Sequence, residues 1–461
     1  MLSILNTSKV TEIDSVYNNA PKIWDFKNAY HDQTKKFLYE LEPHLKDSWK
    51  YSYDRIQNFQ FKRIQKIVEE AYNNVPFYHK LYSDIGFRPE DLKSWDDFEK
   101  LPIISKKELS SVPVNDIINS KYIHALRENA EGRNMFNYPL IYNTSGSSGS
   151  QLIFSISPFR ILFNTLMGYR QMDFQSNGKY KHIQEYSLHI EGCYWWINID
   201  EYQRFNMFTI YIPEKPKKYF TADRLHEYLS NNNIKFISTY PSVLQKIIDL
   251  VDLSKYSLKL ITVHSEKSSQ SQRNYFAKIT NTPVVDEYSS QELTRIALQC
   301  PNTKEYVIEE DHNYIENKNS KIIGTSLIND STPFIRYDQD DFGDIKTSNN
   351  FNFRILKNFY GREYDNLILP DGSYVYSGEL IDQIYRWRET IRIRSCTIVQ
   401  TSPKKIKIYV DTFNPLKRKE KLDIIADLKS FTLAQMHIDL IEEKYSRDSG
   451  DKNSSIIRKP F

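Results

Sequence analysis

The chain has 461 residues, with 62 Lys and Arg against 59 Asp and Glu, so its formal net charge is +3. Hydrophobic residues make up 40% and aromatics 14%, which excludes a mainly disordered chain, and the near balance of charge excludes a strong electrostatic footprint for nucleic acid or an anionic membrane. No run of ~18 apolar residues occurs, so no membrane insertion is expected.

The first residues, Met1-Leu2-Ser3-Ile4-Leu5-Asn6, run into polar sequence without a long apolar stretch and do not read as a signal peptide. Cys193, Cys300 and Cys396 lie far apart, with no CxxC and no zinc-like spacing. That is the cysteine usage of a reducing compartment, and a cytoplasmic protein is expected. Length points to two or three domains.

Residues 1–135 read as mainly helical. Phe61, Ile64, Ile67, Val68, Ala71 and Tyr72 recur at helical spacing and stop at Asn73-Asn74-Val75-Pro76. Pro102 and Pro113 punctuate the next stretch of chain. From about residue 136 to 360, short apolar runs at 235–239 and 258–263 alternate with helical stretches such as 242–251. This is the rhythm of βα units and a mostly parallel sheet. Residues 361–461 read as a small α+β domain. Ile406, Ile408 and Val410 alternate, Leu422, Ile425 and Ala426 follow at helical spacing, and Ile438 and Leu440 alternate again. The boundary is expected near Tyr360-Gly361-Arg362.

Glycine is scarce, at 13 residues. Yet Gly146 and Gly149 stand close together in Thr144-Ser145-Gly146-Ser147-Ser148-Gly149, between apolar Leu140-Ile141-Tyr142 and a strand-like stretch at 151–156. Such a loop turns tightly and presents N–H and hydroxyl donors to an anion. It lacks GK[ST] and opens into a strand, so it is not the loop of the P-loop NTPases. Alone, it reads more simply as a Gly/Ser turn in a hairpin.

Three further motifs lie downstream: Asp286-Glu287-Tyr288-Ser289-Ser290-Gln291-Glu292, then the stretch from Pro333 through Arg336-Tyr337-Asp338-Gln339-Asp340-Asp341-Phe342-Gly343-Asp344, then Tyr360-Gly361-Arg362. In this order and spacing the chain resembles the adenylate-forming superfamily, closest to its phenylacetate–CoA ligase-like branch, which includes the CapK-type proteins of capsular polysaccharide biosynthesis. The stretches Glu70 to Tyr78, Leu101 to Lys106 and Tyr240-Pro241-Ser242 also resemble that branch, so the likeness covers nearly the whole chain.

The resemblance implies a large core of mixed and parallel sheets with helices, and a small mobile C-terminal lid. It implies a ligase that joins a carboxylic acid to ATP, releases pyrophosphate, and passes the acyl group of the acyl-adenylate to CoA or another acceptor. A CapK-type alternative hands the acyl group to a sugar or amine. A third reading is a nucleotide-binding protein that has lost catalysis. The motifs specify neither the acid nor an oligomeric state.

By the same resemblance Thr144, Ser145, Gly146, Ser147, Ser148 and Gly149 form the phosphate loop. Tyr288 lies against adenine, with Ser289 and Ser290 beside it, and Glu292 helps to hold Mg²⁺ on the phosphates. Asp341 accepts the ribose hydroxyls, within the acidic run Asp338, Asp340, Asp341 and Asp344. Asp340 stands where the family has glycine, and Ser289 and Gln291 also depart from the pattern. Arg362 reaches the ribose or phosphate, Tyr364 and Asp365 mark the hinge, and Lys452 is the lysine between carboxylate and α-phosphate. Tyr194, Trp195, Trp196, Tyr240, Pro241 and Ser265 are candidates for the acyl pocket. Relatives in this branch hold a structural zinc with cysteines and a histidine. In the region after the Tyr288 motif, where those ligands fall, only Cys300 is available and the nearest later histidine is His312, so no zinc is expected.

Overall fold

The structure is a computed structural model and describes residues 48, 51–123, 140–144, 152–178, 186–192, 207–212, 222–231, 234–362, 366–446 and 456–459. The chain divides into two compact units, each built from two segments. The first is Met1–His182 with Tyr288–Phe359, and the second is Ile183–Glu287 with Tyr360–Phe461.

The first unit opens with helix α1 (Tyr53–Asn74), capped by Ser52, whose hydroxyl accepts from the Arg55 N–H. It ends where Val75, held extended ahead of Pro76, cannot continue the helix. Helix α2 (Pro76–Asp84) starts on that proline. The apolar stripe expected from 61–72 is the buried face of α1, including Ile64, Ile67, Val68 and Ala71. Strands β1 (Leu140–Asn143) and β2 (Ile153–Ile156) form an antiparallel hairpin, and helix α3 (Pro158–Gln175) follows.

The second unit then takes over. Strands β3 (Tyr186–Gly192), β4 (Met207–Ile212), β5 (Ile234–Thr239), β6 (Leu260–His264) and β7 (Val284–Ser290) alternate with helices α4 (Ala222–Asn231), α5 (Pro241–Leu250) and α6 (Gln270–Thr280). The strands pair in parallel in the order β4-β3-β5-β6-β7. This is the βα sheet read from the rhythm of 235–263. Residues of β7 from Tyr288 onward belong to the first unit.

Back in the first unit, β8 (Thr294–Gln299), β9 (Tyr306–Ile308), β10 (Asn313–Lys318), β11 (Lys321–Ser326), β12 (Tyr337–Lys346) and β13 (Ile355–Arg362) lie in the order β10-β11-β12-β13-β9-β8. Its core joins Ile64, Val68, Tyr78, Phe98, Phe154, Leu293, Phe334 and Tyr337. Arg336 clamps this unit internally. It pairs with Glu316 at 2.9 Å and donates to the carbonyls of Glu99 and Leu101.

In the second unit, helix α7 (Ser377–Thr390) precedes β14 (Ile393–Ser402), β15 (Lys405–Thr412), helix α8 (Arg418–Phe431), β16 (His437–Ile441) and β17 (Ile456–Arg458). The strand order is β16-β15-β14-β17, with β15 parallel to β16 and antiparallel to β14. The alternation at 405–410 and 438–440 around a helix is therefore a β-α-β unit, as expected. One apolar cluster runs through both segments of this unit, from Ile237, Val243 and Phe276 to Leu380, Trp387, Ile398, Ile408 and Leu428. Among the described residues, no helix is long and apolar enough to cross a membrane.

Gly324 on β11 shows where small size is required. A Cβ there would strike Leu293 Cδ1 and lie 3.4 Å from Ile315 Cδ1, both on buried side chains. Gly324→Ala is expected to cost roughly 1–3 kcal/mol through overpacking. It would appear as a lower urea midpoint at unchanged slope. An unchanged midpoint would mean that Leu293 yields without cost.

Candidate active site

Two side-chain rungs organise the motif residues of the first unit. The Tyr288 hydroxyl donates to Asp341 Oδ2 at 2.7 Å, and the Tyr337 hydroxyl donates to Glu292 Oε1 at 2.9 Å. The rungs are four residues apart on each side, so the 288–292 stretch is tied to β12 twice. Tyr288, Glu292, Tyr337 and Asp341 are all buried. The Tyr288 ring packs against Phe359, with centroids 4.2 Å apart. Between the rungs, the Ser290 hydroxyl accepts from the Leu293 N–H at 3.0 Å and closes the turn that presents Glu292. Ser289 and Ser290 are half-buried. Thr294 follows with φ of 63°, a left-handed conformation that a branched side chain adopts only under constraint.

The acidic run resolves into separate roles. Asp338 pairs with Lys321 at 2.7 Å, and Asp344 accepts from Asn358 Nδ2 at 2.7 Å. Asp341 faces Tyr288. Asp340 sits at φ 60° with its side chain about half exposed, and its N–H donates to Asp338 Oδ1 at 2.9 Å. Aspartate is among the few residues that enter this region readily, which accounts for its tolerance at a position where the resembled family has glycine. Asp340→Val is expected to destabilise by about 1–2 kcal/mol, and Asp340→Gly to stay within about 1 kcal/mol of the parent. Thermal melts of the two variants test this ordering, and a valine variant as stable as the parent would contradict it.

Thr144 is buried at the base of the β1–β2 hairpin. Its hydroxyl accepts from the Leu152 N–H at 3.0 Å, and its own N–H donates to the Leu152 carbonyl at 2.9 Å. Ser145, Gly146, Ser147, Ser148 and Gly149 lie outside the described residues, as do Tyr194, Trp195, Trp196, Tyr364, Asp365 and Lys452. Arg362 is the last residue of β13, and its side chain is outside the described part.

Two buried polar residues of this unit were not singled out in the sequence. Arg160 lies in the first turn of α3, whose cap Ser157 accepts from the Arg160 N–H at 3.3 Å. Its guanidinium is buried, donates through Nη2 to the Gln291 carbonyl, and stands 5.8 Å from the Phe154 ring centroid. Burial pulls its pKa down to about 10, against the opposing influence of Tyr142 and Glu292. Asn329 ties β2 in place: its Nδ2 donates to the carbonyls of Ser155 and Thr332, and its Oδ1 accepts from the Ser157 N–H. Arg160 and Asn329 are isolated polar residues in the sequence, and only long-range packing assigns them a place.

Glu292 suits a hard cation. Tyr337 occupies Oε1, and among the described residues Oε2 takes no hydrogen bond. One such carboxylate, with water and phosphate oxygens, is the ligand set Mg²⁺ favours.

In the second unit, Tyr240 precedes Pro241 at the start of α5, and its ring meets His264 edge-on at 5.2 Å. Ser265 has φ of 64°, and its hydroxyl lies 2.9 Å from His264 Nδ1. Glu266 accepts from the Ser242 N–H and hydroxyl at 3.0 and 2.8 Å. Tyr240, Pro241 and Ser265 thus share one corner of that unit.

A separate buried cluster in the first unit contains Glu309, Asp311 and His312, with potential ligand atoms within 4.8 Å of one another. Its positive charge comes from Arg170, which bonds Glu309 Oε2 at 2.6 Å, Asp311 Oδ1 at 2.9 Å and also Asp311 Oδ2. Cys300 and Cys396 are buried free thiols, and burial pushes the Cys396 thiol up.

No protein-family model matches the chain. Among curated proteins it is similar to the phenylacetate-coenzyme A ligase of Escherichia coli (strain K12), 22% identical over 376 residues, spanning 73% of this chain and 77% of that one. The enzyme of the same name from Pseudomonas putida is 20% identical over 401 residues, spanning 78% and 81%. Among solved structures, 2-hydroxyisobutyryl-CoA ligase in its postadenylation state with 2-HIB-AMP matches with a TM-score of 0.66 at 15% identity, covering 87% of this chain and 89% of that one. The chain therefore has the mixed α/β fold of adenylate-forming enzymes.

Proposed function

We propose that the protein is an AMP-forming ligase that activates a carboxylic acid with ATP and transfers the acyl group to CoA. The observation that carries this is the pair of rungs Tyr288–Asp341 and Tyr337–Glu292, which ties these four side chains into one framework. The similarity to phenylacetate-coenzyme A ligases over most of both chains supports the same reading. In it, Tyr288 lies against the adenine and Asp341 accepts the ribose hydroxyls. Glu292 holds Mg²⁺ on the polyphosphate, and Thr144 with the loop to Gly149 cradles the phosphates. Mg²⁺ supplies charge neutralisation at the phosphates. Arg362 reaches the ribose or phosphate. Lys452, carried by a C-terminal lid at 361–461, neutralises charge between the carboxylate and the α-phosphate. Tyr240, Pro241 and Ser265 line the acyl pocket.

ATP–pyrophosphate exchange against a panel of aryl, fatty and amino acids tests the first half-reaction. Exchange stimulated by one acid is expected, with thioester formation on adding CoA. ATP binding without exchange for any acid would overturn the reading. Exchange with transfer only to a sugar or amine would replace CoA as the acceptor and place the protein in surface polysaccharide assembly.

A further inference from the structure

The adenylation chemistry assigned to the rungs leaves one buried charge unused. Arg160 is only 3% exposed, and its Nη2 bonds the Gln291 carbonyl. Among the described residues its Nε and Nη1 have no hydrogen-bond partner. A guanidinium is always charged, and a buried one with two idle donors costs folding free energy. Such cost is retained where a ligand completes the site.

The position also selects for an anion. Arg160 stands in the first turn of the 18-residue helix α3, where unsatisfied N–H groups and the helix dipole favour negative charge. Ser157 takes up one of those N–H groups and fixes the turn. Glu292 lies close enough to influence the guanidinium electrostatically, and Arg160 grips the residue before it. A cation held by Glu292 would cancel that carboxylate's charge and leave Arg160 facing whatever anion the cation carries.

We propose that Arg160 is a phosphate-contacting residue, whose idle guanidinium donors take a phosphoryl oxygen of the nucleotide beside the carboxylate of Glu292. The assignment rests on the adenylation reading for the identity of the nucleotide. The ligand chemistry, an oxyanion, has two sources in that reaction, the polyphosphate and the carboxylic acid. The cation that travels with the polyphosphate favours the first.

The full-length protein, with Arg160→Met and Arg160→Lys, is titrated calorimetrically with inorganic tripolyphosphate, with and without Mg²⁺, and separately with ATP. Thermal melts are taken without ligand. Arg160→Met is expected to weaken tripolyphosphate binding by about 30-fold or more, with Arg160→Lys intermediate. Its Tm without ligand is expected to equal or exceed the parent's, because removing a poorly satisfied buried charge relieves the fold. A lowered Tm with unchanged tripolyphosphate affinity would make Arg160 structural and overturn the assignment. So would a parent protein that binds no tripolyphosphate, or an Arg160→Met effect confined to KM for the acid. Tripolyphosphate binding that depends on Arg160 without exchange for any acid would sustain the phosphate site and defeat the adenylation reading.

Discussion

Arg170→Met is expected to destabilise the protein by about 3–5 kcal/mol, measured by urea unfolding at neutral pH. The guanidinium is 3% exposed, and its two carboxylate partners, Glu309 and Asp311, are fully buried. The Ser48 hydroxyl completes the arrangement, accepting from Arg170 at 2.9 Å and donating to Asp311 at 2.8 Å. Removing the cation leaves two desolvated negative charges without a counter-charge. Burial alone would raise the Asp311 carboxyl. The charge of Arg170 and its hydrogen bonds, with His312 Nδ1 3.5 Å from Asp311 Oδ1, hold it far below the usual carboxylate range. A carboxyl depressed in the folded state contributes stability that is complete above its unfolded pKa of about 4 and is lost as pH falls through the folded value. In Arg170→Met burial is opposed only by the Ser48 hydroxyl and His312, so the carboxyl rises and the sign reverses. The variant is expected to gain stability relative to the parent as pH is lowered from 8 to 5. A pH-independent difference would show that the carboxylates find other partners.

Glu292→Gln is expected to lower ATP–pyrophosphate exchange by about 10²-fold, the scale of losing one preorganised electrostatic group. The amide keeps the volume and can still accept from Tyr337, so the melting temperature is expected to hold. The discriminating measurement is the Mg²⁺ dependence of exchange, which is expected to move to higher concentration. Exchange at the parent rate and the parent Mg²⁺ dependence would remove Glu292 from the metal.

Legibility differed by the range of the forces involved. The α1 stripe and the alternation of β15 were readable because their apolar residues repeat at 3.6 and 2.0 and burial of one face enforces those periods, whereas in α8 the buried residues are Ile424 and Leu428 and Leu422 of the expected stripe is exposed. The parallel order β4-β3-β5-β6-β7 is a pairing of distant segments and leaves no local period. The same holds for the units: the chain crosses between them at 182/183, 287/288 and 359/360, and only the last lies beside a boundary visible in the sequence. In the acidic run, type and spacing left Asp338, Asp340, Asp341 and Asp344 equivalent. Lys321, Asn358 and Tyr288 separate them, each from another strand. Arg160 and Arg170 were invisible for a related reason. An arginine on a helix usually faces solvent, and nothing within a few residues announces the buried carbonyl or carboxylates each one meets.

The left-handed residues constrain how this chain can change. Asp340, Thr294 and Ser265 take conformations that other chains often assign to glycine, whereas Gly324 and Gly343 are held by the neighbours a methyl group would strike. The two kinds of position restrict substitution along different axes, the first by branching at Cβ and the second by volume. Because Asp340, Thr294 and Gly324 all adjoin the rungs, sequence drift there is filtered by shape before chemistry is tested. A library that randomises the charged motif residues while holding these three fixed would therefore sample altered specificity with few misfolded members.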